Sequence, residues 1–208
     1  MSRDYKPKLK TRIKRAIKWD EVQQLLDSIN GQSWIDARDR ALISLLFRTG
    51  LRRGEAAGLC VPDINFTQKR LLIHADTSKG AADGIIPFDD ETATLLQAYL
   101  ACRPAHPTNP QILWYANDGY GGVKEQPLTG EGIYQVMKRR CDQAGLPRFA
   151  PQTFRRGFGT ALLNVGVNIG EVSALLRHSS VKITETWYVE HELQAIERVY
   201  RDAQERLR

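Results

Sequence analysis

Four short stretches put charged or reactive side chains where an apolar helical face begins or ends. "TGLRRGE", residues 49–55, follows the apolar run "ALISLLF" with Arg52, Arg53 and Glu55. "PQTFRRGFGTALL", residues 151–163, sets Arg155 and Arg156 immediately before a second such face. "LLRHSS", residues 175–180, closes the apolar series Ile169, Val172, Leu175 and Leu176 on His178, and "ETWYVEH", residues 185–191, carries Tyr188 beside Trp187. Arginine is a planar fork of donors that matches two oxygens of one oxyanion and stays charged at any relevant pH. Histidine binds or moves a proton near neutrality, and a tyrosine hydroxyl can act as a nucleophile. Taken singly, each stretch has a plainer structural reading. An arginine at a helix end pairs with an acid, a histidine in the last turn favours the helix dipole, and a Trp-Tyr pair packs.

The elements that must position these residues read mostly as helices. Val22, Leu25, Leu26 and Ile29 repeat at helical spacing after a cap at Asp20, and Ile133, Val136, Met137 and Cys141 do the same. Residues 34–48, 90–101, 153–164, 169–177 and 191–207 also carry helical patterns. "RLLIHA" (70–75) and "GIIPF" (84–88) read as two short antiparallel strands joined by the turn-rich "DTSKGAAD". From Cys102 to Leu128, three prolines and a glycine cluster predict a long connection with one short strand at "ILWY". The expected fold class is mainly α with a small antiparallel β-sheet, an α+β arrangement.

A chain of 208 residues with 42% hydrophobic side chains builds one good core, and 26% charged residues keep it soluble. Cys60, Cys102 and Cys141 form no CxxC pair and have no nearby histidine doublet, so they read as reduced thiols and not as zinc ligands. No secretory signal core and no membrane-length apolar stretch is present, which places the protein in the cytoplasm.

The net charge of +6 is unevenly spread. Residues 1–18 hold eight of the 30 Lys and Arg against one acid, Asp4, giving +7 and leaving the remainder at −1. Lys6, Lys8, Lys10, Arg12 and Lys14 fall at every second position, so an extended chain points them all to one side. Pro7 disfavours a helix there. Two readings stand equally on the tail alone: an extended arm lying along a phosphate backbone, or a solvated tail.

Taken in order, the four stretches together with "SKG" at residues 78–80 resemble the catalytic domain of the tyrosine recombinase, or phage integrase, family. The likeness runs from about Trp19 to about His191. The family's "TGLRxxEL" is similar to residues 49–56, which implies Arg52 as the first catalytic arginine and Glu55 as a supporting acid. Its hairpin lysine, in "GKG" or "TKG", implies Lys79, and its "HxLRHT" resembles "QTFRRG", implying Arg155 as the second arginine. Its "LGHSS" is similar to "LRHSS" at His178, its "TTxxY" nucleophile implies Tyr188, and "VPDINF" resembles the family's exit into the sheet. Three departures stand out. Gln152 occupies the usual histidine position of the second box, and it can hydrogen-bond a phosphate oxygen but cannot titrate. Arg156 and Gly157 replace "HT", and Tyr188 lies ten residues after His178 where nine is typical.

The resemblance implies a site-specific DNA recombinase that cuts and rejoins DNA through a covalent 3′-phosphotyrosine, with neither metal nor other cofactor. Arg52 and Arg155 then clamp the scissile phosphate, Tyr188 attacks it, Lys79 protonates the leaving 5′ oxygen, Gln152 bonds the phosphate, and His178 bonds the phosphate or assists the tyrosine proton. Lys6, Lys8, Lys10, Arg12, Lys14, Arg53 and Arg156 are the expected DNA-binding residues. A type IB topoisomerase-like enzyme, or a non-catalytic DNA-binding regulator on the same fold, is the alternative. The expected organisation is a basic arm (1–18), a catalytic domain (19–190) and a C-terminal helix (191–208), either exchanged between protomers or folded back on its own domain. The expected partners are double-stranded DNA, accessory DNA-bending proteins and further copies of the chain. Four copies would assemble on DNA, from a monomer or weak dimer in free solution, in the cytoplasm at the nucleoid. The chain reads either as an excised catalytic domain or as a short single-domain recombinase.

Overall fold

The computed structural model describes residues 15–75, 83–178, 180–182, 184–185, 200 and 203–204. The central element is α2 (Trp34–Thr49), whose Ala41 to Phe47 are all buried, so it is covered on every side instead of presenting one stripe. Ser33 caps its start by accepting from the Asp36 N–H. Gly50 ends it in a left-handed conformation, φ 62°. A Cβ there would come within 2.7 Å of Leu176 and 2.8 Å of Phe158, so the position requires glycine on two counts.

Four helices pack against α2 or close the domain around it. α1 (Trp19–Asp27) and α4 (Asp90–Cys102) flank it, while α5 (Gly130–Gln143) and α6 (Pro151–Asn164) complete the core, with Phe154 edge-on to Phe47 at 6.4 Å. The expected cap at Asp20 is corrected: α1 starts at Trp19 with Lys18 as its cap. Glu21 fixes that start, because its carboxylate accepts the Lys18 N–H at 2.9 Å and pairs with Arg15. Ile17 is buried and its N–H reaches the Thr153 carbonyl of α6, so the last residues of the basic stretch are already part of the domain.

A three-stranded antiparallel sheet, ordered β1 (Ile64–Asn65), β2 (Arg70–Ile73), β3 (Gly84–Pro87), lies beyond α3 (Arg53–Gly58). Leu71 pairs with Ile86 facing the core, whereas Leu72 and Ile85 face outward, as the two-residue period requires. The two expected strands form with the expected pairing, each slightly shorter. The stretch from Cys102 to Leu128 is more ordered than its prolines imply. Ile112 only bridges to Cys60, and the strand falls later, at β4 (Tyr115–Asn117), in a hairpin with β5 (Val123–Pro127). Asp118 builds the turn by accepting the N–H groups of Tyr120 and Gly122 at 2.8 and 2.9 Å.

The last described helix is α7 (Ile169–Leu175), capped by Asn168 and Glu171. The helix expected over 191–207 lies outside the described residues except for Tyr200, Ala203 and Gln204. No described helix is long and apolar enough to cross a membrane.

Candidate active site

Three segments far apart in the chain converge at the end of α2. The first is the entry to α3, where Arg52 is the cap and Glu55 the third helical residue. The Glu55 carboxylate accepts the Arg52 N–H and the Arg52 Nη1, each at 2.8 Å. That local reciprocity stiffens the start of a helix too short to hold itself. The second segment is the first turns of α6, which begin on Pro151 and bring Arg155 inward, 4% exposed. The third is the end of α7, Leu176 to His178.

Main-chain carbonyls tie these segments together. Arg155 donates through Nη1 to the Gly50 carbonyl at 2.5 Å and through Nη2 to the Leu176 carbonyl. Arg52 Nη2 donates to the Arg177 carbonyl at 2.8 Å. Each guanidinium is therefore aimed by backbone, which holds a fork more rigidly than a mobile carboxylate would. Arg177 adds a third guanidinium, donating through Nη2 to Glu55. His178 shares a hydrogen bond of 2.7 Å between Nδ1 and the hydroxyl of the buried Thr184.

The cluster is crowded with positive charge. Burial, with Arg52 and Arg177 close by, pulls the Arg155 guanidinium down to about 9 despite the opposing pull of Glu55. Burial, then Arg155 and Arg52, depress the His178 imidazole to about 4, so it is neutral at physiological pH. Burial alone would raise the Glu55 carboxyl. The hydrogen bonds from Arg177 and Arg52 outweigh it and hold Glu55 below the ordinary carboxylate value. Among the described residues, three guanidiniums beside one carboxylate leave an uncompensated positive charge that an incoming anion would neutralise.

Four of the residues expected from the sequence, Arg52, Glu55, Arg155 and His178, are thus brought together. Gln152 sits in the first turn of α6, exposed, one turn before Arg155. Arg53 is exposed and reaches Glu131 at 3.4 Å, and Arg156 is partly buried in α6. Lys79, Tyr188, Lys6, Lys8, Lys10, Arg12 and Lys14 lie outside the described residues. Arg177 was not among the expected site residues. Its signal was present as an arginine where the resembling motif "LGHSS" carries glycine.

Residues 15–194 match the phage integrase family. The chain belongs to that family. Among its relatives, tyrosine recombinase XerD of Corynebacterium glutamicum is 35% identical over 173 residues, covering 81% of this chain and 54% of the relative. Tyrosine recombinase XerC of Pelotomaculum thermopropionicum is 28% identical over 202 residues, covering 96% of this chain and 65% of the relative. This family member thus spans roughly half to two thirds of the length of these relatives. Its fold is similar to that of the XerA recombinase (TM-score 0.72, 22% identity, 90% of this chain and 66% of the other). It is similar as well to the XerH recombinase bound to its palindromic difH substrate (TM-score 0.71, 24% identity, 91% and 53%).

Proposed function

We propose that this phage integrase family chain acts as a site-specific DNA recombinase, or as the catalytic part of one. The observation that carries the reading is the backbone-aimed, under-neutralised arginine cluster in a member of this family. Supporting it, the XerC and XerD relatives are named tyrosine recombinases, and XerH was captured with DNA in a post-cleavage complex.

A DNA phosphodiester repels nucleophiles through its own charge, and attack concentrates more charge on the non-bridging oxygens. Arg52 and Arg155 would take those oxygens from two directions, worth about 10²- to 10³-fold each by analogy with oxyanion donors. The Tyr188 hydroxyl attacks phosphorus. Its proton passes to solvent or to the neutral His178, a P–O bond forms, and the bond to the 5′ oxygen breaks. Lys79 gives that departing oxygen its proton, leaving a 3′-phosphotyrosine and a free 5′-hydroxyl. The phosphoester bond is exchanged, so rejoining is the same step in reverse and needs no energy source. Gln152 supplies a hydrogen bond without titrating. Arg53, Arg156 and the arm residues Lys6, Lys8, Lys10, Arg12 and Lys14 would neutralise flanking phosphates. Four copies on two duplexes would complete the exchange, the segment 191–208 linking neighbours.

The test uses nicked suicide duplexes chosen by binding selection from random sequence. The wild-type chain should become covalently joined to a 3′ end, with the attachment mapped by peptide mass spectrometry to Tyr188. Tyr188→Phe should bind the same duplexes and form no adduct. An adduct that survives this change assigns the nucleophile to another residue, and its absence in the wild type refutes the catalytic reading.

A further inference from the structure

α7 ends in a Schellman turn: the Arg177 N–H donates to the Ala174 carbonyl at 2.9 Å and the His178 N–H to the Ser173 carbonyl at 3.0 Å. The residue after the cap in such a turn is left-handed, a conformation glycine adopts freely and other residues adopt at a penalty. Here it is Arg177, φ 50°, and among the described residues only Lys69 is another non-glycine with positive φ. The side chain folds inward, 16% exposed, and its Cδ lies over Gly84 of β3, where a Cβ would come within 3.0 Å. Its Nη2 holds Oε2 of Glu55, the oxygen that also accepts the Arg52 N–H at 2.8 Å, and its Nη1 is buried without a hydrogen-bond partner among the described residues. Glu55 offers its other oxygen to Arg52 Nη1, while the Arg177 carbonyl takes Arg52 Nη2. Both ends of Arg177 therefore act on the Arg52–Glu55 pair, the carbonyl directly and the guanidinium through the carboxylate.

We propose that Arg177 is a positioning residue of the active site, clamping Oε2 of Glu55 together with the Arg52 N–H so that Oε1 fixes the direction of the Arg52 fork. The proposal rests on the functional reading above. Without the Arg177 side chain, Oε2 keeps only the Arg52 N–H, and the carboxylate can pivot about that one bond, pulling the Arg52 fork away from the Arg177 carbonyl and from the phosphate. The charged and titratable groups around Glu55 are Arg52 at the cap of its own helix, Arg177 at the end of α7 and Arg155 on α6, with His178 beside Arg155 and Arg52.

Arg177→Gly suits the test because glycine accepts the left-handed backbone, so only the side chain is lost. Single-turnover adduct formation on a selected suicide duplex, followed from acidic to neutral pH, is compared for wild type, Arg177→Gly and Arg177→Lys. Arg177→Gly should bind the duplex as the wild type does and form adduct about 10- to 100-fold more slowly, the cost of a small misplacement of a reacting group. Its acid limb should move to higher pH, because Glu55 loses a partner that favours its charged form. Arg177→Lys, which keeps a cation beside Glu55, should return the limb toward its wild-type position. A wild-type rate and pH profile in Arg177→Gly overturns the proposal, as does a loss that appears entirely in DNA affinity. If the wild-type chain forms no adduct on any duplex, the functional reading fails on its own, and thermal melts then judge the pairing. The stability of Arg177→Gly relative to wild type should fall as pH rises through the carboxylate range, and parallel curves would refute the contact.

Discussion

Two clusters of three arginines each are built around α2, and they differ in how many carboxylates answer them. Between α2 and α5, Arg38, Arg139 and Arg140 face Asp36 and Asp39. Arg38 and Asp39 are wholly buried. Asp39 accepts from Arg38 on one oxygen at 2.8 and 2.9 Å, and from Arg139 and Arg140 on the other at 2.7 Å. Further donors are used as well, Arg38 Nη1 on the Tyr115 carbonyl at 2.6 Å and Arg140 Nη2 on Asp36 at 2.6 Å. At the other end of α2, Arg52, Arg155 and Arg177 have Glu55 as their one carboxylate among the described residues and spend donors on main-chain carbonyls. The first cluster, only one formal positive charge in excess, locks two helices together through its carboxylates. The second keeps the larger excess of positive charge, an arrangement that costs stability and that a bound anion would relieve.

Breaking the first cluster should give the largest effect on folding. Asp39→Ala strips the shared carboxylate from three guanidiniums and should lower stability by about 3–5 kcal/mol, read by denaturant unfolding. If it costs under about 1 kcal/mol, the network is ornamental and the contrast collapses. Arg52→Ala should do the reverse. The side chain is 38% exposed and Glu55 keeps Arg177, so stability should change by no more than about 1 kcal/mol. Adduct formation should nevertheless fall by about 10²- to 10³-fold, as should that of Arg155→Ala.

A smaller effect follows from His178. Its folded pKa of about 4 lies below the ordinary 6.5, so between these values the unfolded chain binds the extra proton. Stability therefore falls on acidification from 6.5 toward 4, and His178→Gln should flatten that part of the decline. Identical pH–stability curves for the two proteins would show that burial and the neighbouring arginines do not depress the imidazole.

The contrast was only partly visible in the sequence. Helices α2, α4, α5 and α6 were legible because their apolar spacing, caps and lengths agree. The β4–β5 hairpin was not, because "VKEQP" faces solvent along most of its length and shows no alternation. The cap of α1 depends on an Arg15–Glu21 pair that propensity does not encode. Arg52, Glu55, Arg155 and His178 were found through the order of their motifs, since nothing in periodicity joins residues so far apart. Arg177 escaped because its left-handed backbone and its reach to Glu55 exist only once α3 and α7 meet. The buried Arg38–Asp39 pair escaped for a similar reason, reading as ordinary polar positions on an amphipathic helix.

The central claim is that the Arg52–Arg155 cluster carries surplus charge in order to hold a scissile phosphate. Its most direct measurement replaces that phosphate, in a selected suicide duplex, by an uncharged methylphosphonate and compares adduct formation by wild type, Arg52→Ala and Arg155→Ala. The account predicts that the deficits of about 10²- to 10³-fold on phosphate shrink to a few-fold at most on the neutral linkage, because there is less charge left to neutralise. Equal deficits on both linkages would contradict it and assign the arginines a purely structural part.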